Sequence, residues 1–98
     1  MSEEKSTKTV SDQPEALIEF PCEFPLKVMG KTQDGFAQAV AAVVVRHDAA
    51  FDVGSIEMRA SKHGKYLSLT CTVNATSREQ LDALYQDLCD HPMVVMVL

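Results

Sequence analysis

The chain contains stretches in which apolar and polar residues alternate and stretches in which apolar residues recur at helical spacing. The clearest alternation runs from Tyr66 to Ala75, where Leu67, Leu69, Cys71 and Val73 are interleaved with Ser68, Thr70, Thr72 and Asn74. Successive side chains of a strand point to opposite faces, so this is a strand with one core face and one polar face. Phe24, Leu26 and Val28 alternate with Pro25, Lys27 and Met29, which predicts a first strand over Phe24–Met29 that ends at Gly30. Ser55–Ser61 reads as a second strand with Ile56, Met58 and Ala60 on one face. The turn Lys62-His63-Gly64-Lys65 joins it to the Tyr66 strand, with Gly64 supplying the positive φ such turns often need.

Helical spacing appears twice. Phe36, Val40, Val43, Val44 and His47 fall on one face of a helix over about Asp34–Asp48, with Thr32 or Asp34 as cap and Arg46 and His47 at its negative end. Leu81, Leu84, Tyr85 and Leu88 form the stripe of a second helix. Ser77 is its expected cap, Gln80 the reciprocal partner of a capping box, and His91-Pro92 its stop. Met93–Leu98 then reads as a last strand that is apolar on both faces.

The order β-α-β-β-α-β, with a right-handed crossover over each helix, closes as an α+β ferredoxin-like sandwich: two helices on one face of a four-stranded antiparallel sheet. The first and third strands are then central and the second and fourth are edges. An apolar edge strand invites pairing with another chain. Two readings of Met93, Val95 and Val97 follow. Either they form a homodimer seam, or the Phe20–Phe24 segment folds over them.

Composition narrows the range of functions. The 98 residues suit a single domain over 14–98, preceded by a disordered tail over 1–13 that is too polar to offset its ordering entropy. Pro14–Ile18 reads as a short helical turn. The formal charge of −5 opposes nucleic-acid binding through phosphates. Cys22, Cys71 and Cys89 are odd in number and lack C-x-x-C spacing, so they read as free thiols in a cytoplasmic protein. No secretory leader is expected from the polar first residues, and no apolar run approaches the ~20 residues that span a bilayer.

Three chemistries found on this fold leave little trace in the sequence. Acylphosphatases carry a Gly-x-x-Gln-Gly loop followed by an arginine. Gly30, Gln33 and Gly35 echo the loop, but no cation lies between Lys31 and Arg46, and phosphoryl charge goes unstabilised. RNA-binding βαββαβ modules stack bases on aromatics of the two central strands, and here Tyr66 is the one aromatic for that face. His47, His63 and His91 are scattered, and Cys71 has no adjacent base, so no metal ligand set, cofactor site or nucleophile emerges.

ACT domains share the βαββαβ order and bind amino acids or other small effectors between paired domains. That similarity implies a glycine-bearing ligand loop after the first strand, where Met29, Gly30, Lys31 and Gly35 fall, with backbone N–H groups of the first helix able to take a carboxylate. Gly30 and Gly35 have a plainer reading as a strand end and a first-turn glycine.

More specific is a set of short motifs: Glu19-Phe20-Pro21, Phe24, Lys27-Val28-Met29-Gly30, Arg46-His47, Ser61-Lys62-x-Gly64-x-Tyr66-x-Ser68, Asn74-Ala75-Thr76, Leu84-Tyr85 with Leu88, and Val95-Met96-Val97-Leu98. Together, over about Leu17–Leu98, they resemble the YbeD-like family of small bacterial proteins. That resemblance implies an ACT-like fold, no catalytic residues, and a genomic association with lipoate attachment. The expectation is a non-enzymatic regulatory or adaptor domain. Its partners would be a second copy, a small effector or another protein, rather than a membrane or nucleic acid. The alternative is an RNA-binding module.

Overall fold

The computed structural model describes residues 19–98. The expected tail over 1–13 and the expected turn at Pro14–Ile18 lie outside them. The elements are β1 (Cys22–Lys31), α1 (Phe36–His47), a 3-10 turn (Val53–Ser55), β2 (Glu57–Ala60), β3 (Tyr66–Ala75), α2 (Arg78–Asp90) and β4 (Met96–Val97). The four strands form one antiparallel sheet in the order β2-β3-β1-β4, so β1 and β3 are central, as the alternation implied.

β1 and β3 pair along their whole lengths, from Cys22 opposite Ala75 to Lys31 opposite Tyr66. Their inward residues Leu26, Val28, Leu69, Cys71, Val73 and Ala75 meet Phe36, Val40, Val43 and Val44 of α1 and Leu81, Leu84 and Leu88 of α2 in one core. The polar side chains of β3 lie on the face opposite α1 and α2.

Local rules decide several boundaries. Gly30 does not end β1; it pairs with Leu67 inside the strand. A Cβ there would lie 2.6 Å from the Phe36 ring and against the carbonyl oxygen of Met93, so the glycine allows helix, strand and C-terminal turn to converge. Neither Thr32 nor Asp34 caps α1. Its N-cap is Gly35, in the left-handed region at φ +86 with no side-chain cap bond. The Thr32 hydroxyl instead donates to the Gly64 carbonyl at 2.6 Å, joining the first turn to the β2–β3 hairpin, where Gly64 has φ +71.

α2 starts as expected at Ser77, whose hydroxyl accepts the Gln80 amide at 3.0 Å. The reciprocal half of the box is displaced by one residue: Gln80 Oε1 accepts from the Thr76 amide at 2.6 Å. Gln80 Nε2 donates to the carbonyls of His47 and Asn74, so one side chain ties the C-terminus of α1 and the end of β3 to the start of α2.

The edges differ most from expectation. β2 is Glu57–Ala60 rather than Ser55–Ser61, because the chain enters it from a 3-10 turn in which the Asp52 carboxylate accepts the Gly54 amide. β4 shrinks from Met93–Leu98 to Met96–Val97. The His91-Pro92 turn folds back on itself, with the Val94 amide donating to the His91 carbonyl and the Met93 amide to His91 Nδ1. The chain reaches β1 only at Val95, whose amide donates to the Met29 carbonyl, and at Leu98, which exchanges both backbone bonds with Lys27.

Candidate functional site

The exposed large apolar side chains of the described residues are Val45, Val53, Met58, Tyr85, Val95, Met96 and Leu98. They fall at the two edges of the sheet, and each edge carries a hollow.

The larger hollow, about 650 Å³, lies between α1 and β2. Ala37, Gln38, Ala41, Ala42 and Val45 form its helical wall, and Val53, Ile56 and Met58 form the other. The helical wall has a simple origin. Phe36, Val40, Val43 and Val44 turn into the core, while Ala37, Ala41 and Val45, at i, i+4 and i+8, form a second apolar stripe beside them. Opposite it, Met58 pairs with Leu69 and therefore shares its helix-side face, yet its side chain remains 57% exposed. β2, an edge strand among the described residues, bounds this groove through Met58. None of its residues was expected to be functional. The available signal was the purely apolar run Ala39–Val45, longer than one core stripe needs.

At the other edge, Phe24 and Leu26 of β1, Arg78, Leu81, Asp82 and Tyr85 of α2, and Leu98 line a second hollow. It exists because β4 covers only the far half of β1. The Tyr85 hydroxyl donates to the Val97 carbonyl at 2.9 Å and pins the end of the chain to α2. The strand read as apolar on both faces is divided by this arrangement. Val97 is a core residue at 4% exposure, Met93 and Val94 pack against the core, and Val95, Met96 and Leu98 face outward. The Phe20–Phe24 segment does not run over β4. β1 begins at Cys22, at the end of the sheet marked by Ala75, and β4 pairs only with Val28 and Met29.

The residues read as a ligand loop are distributed over both faces. Met29 lines a hollow on the open face with Lys27, Arg59, Tyr66, Ser68 and Leu98. Gly30 is buried beneath Phe36, Lys31 is an exposed strand residue, and Gly35 is exposed at the start of α1. Tyr66 has the Lys65 ammonium 5.9 Å above its ring, and no second aromatic of β1 or β3 stands on that face.

Two polar clusters link elements. Asp48 is buried, and its carboxylate accepts the Asn74 amide at 2.9 Å and the Ala50 amide at 3.3 Å, fastening the end of α1 to β3. His47 Nε2 meets the Asp87 carboxylate at 2.6 Å, joining α1 to α2. Cys71 is fully buried and burial pushes its thiol up to about 11, the reverse of an activated nucleophile. Among the described residues no group of three or more His, Cys, Asp or Glu is placed to hold a metal ion, and no helix is long and apolar enough to cross a membrane.

Residues 15–98 match the family model described as a protein of unknown function, DUF493. The chain belongs to that family. It is 58% identical over 84 residues to a UPF0250 protein of Nitrosomonas europaea, covering 86% of this chain and 97% of the relative. It is 60% identical over 84 residues to a UPF0250 protein of Bordetella parapertussis, covering 86% and 92%. The YbeD-like resemblance drawn from the short motifs therefore holds.

Solved structures agree on the fold. The solution structure of HP0495 from Helicobacter pylori superposes with TM-score 0.71 at 20% identity, covering 90% of each chain. The ACT domain of a GTP pyrophosphokinase from Chlorobium tepidum superposes with TM-score 0.61 at 15% identity, covering 79% of this chain and 97% of that one. The family thus has an ACT-like, ferredoxin-like architecture.

Proposed function

We propose that the protein is a non-enzymatic regulatory or adaptor domain of the cytoplasm that acts by association, with the α1–β2 groove as its contact surface. One observation carries the reading. A groove of about 650 Å³, walled by alanine, valine, isoleucine and methionine, lies beside a strand that is unpaired on its outer side among the described residues. Apolar surface beside open backbone donors and acceptors is the arrangement that strand-addition partners use. The polar clusters add no competing chemistry, since Asp48, Gln80 and His47 spend their polar atoms on holding elements together. The three free cysteines fit a reducing compartment.

The test uses Ala42→Glu, an exposed helical position on the groove wall. The variant keeps the wild-type melting temperature to within a few degrees, because surface substitutions cost about 0.5 kcal/mol or less. In a strain lacking the gene it fails to restore the wild-type phenotype. Full restoration by Ala42→Glu contradicts the reading.

A second reading is effector binding at the β1–α1 turn, through Met29, Gly30, Lys31 and Gly35. It is favoured by the N-terminus of α1, which has neither a side-chain cap nor an acidic residue in its first turn and so offers a carboxylate the positive end of the helix. A thermal-shift panel of amino acids and lipoate checks it, the lipoate arm following from the genomic association. A ligand present at 100 times its Kd stabilises by about 2.7 kcal/mol. An unchanged melting temperature across the panel removes this reading.

A further inference from the structure

We infer that the face of the sheet opposite α1 and α2 holds a binding site for a small ring-bearing organic anion, between Arg59 of β2 and Lys27 of β1. The site is separate from the α1–β2 groove and shares only Met29 with the residues of the β1–α1 turn.

The strand register builds it. Residues directly opposite one another in an antiparallel pair share a face of the sheet. Tyr66, Ser68 and Thr70 run up the middle of this face on β3. Arg59 and Met29 flank Ser68, Glu57 and Lys27 flank Thr70, and Lys31 stands beside Tyr66. Leu98 exchanges both backbone bonds with Lys27 and so joins the same face. Lys27, Met29, Arg59, Tyr66, Ser68 and Leu98 line a hollow of about 310 Å³ there. Met29, Tyr66 and Ser68 are half-buried, while Lys27, Arg59 and Leu98 are exposed at its rim. Small-molecule sites begin at about 300 Å³, so this hollow suits one ring with its substituents.

Charge selects the ligand. The chain carries a formal charge of −5, but this face reverses the sign. Lys27, Lys31 and Arg59 stand on it beside Glu57, and Glu23 lies at its far end opposite Asn74. Lys65 adds an ammonium 5.9 Å from the centre of the Tyr66 ring. Neither Lys27 nor Arg59 makes an ion pair with a described residue. The planar fork of Arg59 is therefore open to a carboxylate or a phosphate, and the Lys27 ammonium adds a second positive charge. The rest of the lining sets the body of the ligand. The Met29 thioether, Leu98 and the Tyr66 ring offer apolar and aromatic contact, and Ser68 offers a hydroxyl. One aromatic serves one ring, which suits a single small molecule. A nucleic-acid strand is held by stacking successive bases on several.

Amide spectra of the full chain at low salt, titrated with AMP and separately with benzoate, test the site. Both probes carry a ring and an anionic group, and the pair distinguishes a phosphate from a carboxylate as the group Arg59 takes. At least one saturates in the millimolar range, with shifts concentrated at Arg59, Ser61, Tyr66 and Ser68 and none at Phe36–Gln38. Arg59→Gln, with an unchanged melting temperature, weakens that probe by about tenfold through loss of a charge-assisted bond. Glu57→Gln removes the neighbouring carboxylate and tightens binding severalfold. Ala42→Glu, on the helix side of the sheet, binds the probe as the wild type does. No saturable shift with either probe, shifts confined to the β1–α1 turn, or wild-type binding by Arg59→Gln overturns the inference. Loss of binding in Ala42→Glu overturns the separation of this site from the groove. A single-stranded oligonucleotide that binds more tightly as it lengthens overturns the small molecule as occupant.

Discussion

Gly30 leaves no space for a methyl group between the Phe36 ring and the Met93 carbonyl. Gly30→Ala must push apart a core aromatic and the turn that leads into β4, and overpacking of this kind costs about 1–3 kcal/mol. Chemical denaturation should show a lower midpoint with an unchanged slope, and a midpoint equal to wild type would contradict the packing described. The sequence marked Gly30 as special but suggested the wrong reason. A glycine at the end of an alternating run looks like a terminator, and only the tertiary arrangement brings Phe36 and Met93 over it.

Cys71 was legible as a core residue from its place in the alternation, and its burial gives a pH dependence of known sign. Its thiol titrates near 9.0 when unfolded, and burial in the fold pushes it up to about 11. A group with a raised folded value contributes stability that is present below its unfolded value and lost as pH rises through the folded one. Between about pH 9 and pH 11, stability should therefore fall by up to about 1.4 kcal/mol per pH unit from this group. Cys71→Val should remove that component of the slope. An identical slope in the variant would show that the thiol is not the group responsible.

Elements with strong local signals were readable to the residue. β3 runs from Tyr66 to Ala75 as the alternation requires, and Ser77 caps α2. What escaped were elements fixed by distant partners. Asp48 follows α1 and looks like an ordinary helix end, but its buried carboxylate accepts the Asn74 and Ala50 amides and ties α1 to β3. Asp48→Ala leaves the part-buried Asn74 amide without its charged acceptor, a loss of about 1–2 kcal/mol in stability by thermal or chemical denaturation. A loss below a few tenths would mean that the contact between α1 and β3 is dispensable. β4 failed in the opposite sense. Six apolar residues in a row suggest a full strand, but the turn after α2 consumes Met93 and Val94, and the strand shrinks to Met96–Val97 with Val95 and Leu98 bonded to β1 at its ends.

For the whole molecule, periodicity sufficed to give the fold, because two helical stripes and four strand segments admit few closed arrangements. It did not give the candidate site. A stripe such as Ala37, Ala41 and Val45 has the composition of core, and whether it is covered depends on how far β2 extends beneath it. β2 is short, so among the described residues the stripe stays open and no strand pairs with the sheet edge beside it.

The proposed role rests on the groove between α1 and β2, and complementation by Ala42→Glu tests it most directly. The variant should keep the wild-type melting temperature and fail to restore the phenotype of a strain lacking the gene. A variant that folds and restores the phenotype in full would contradict the account.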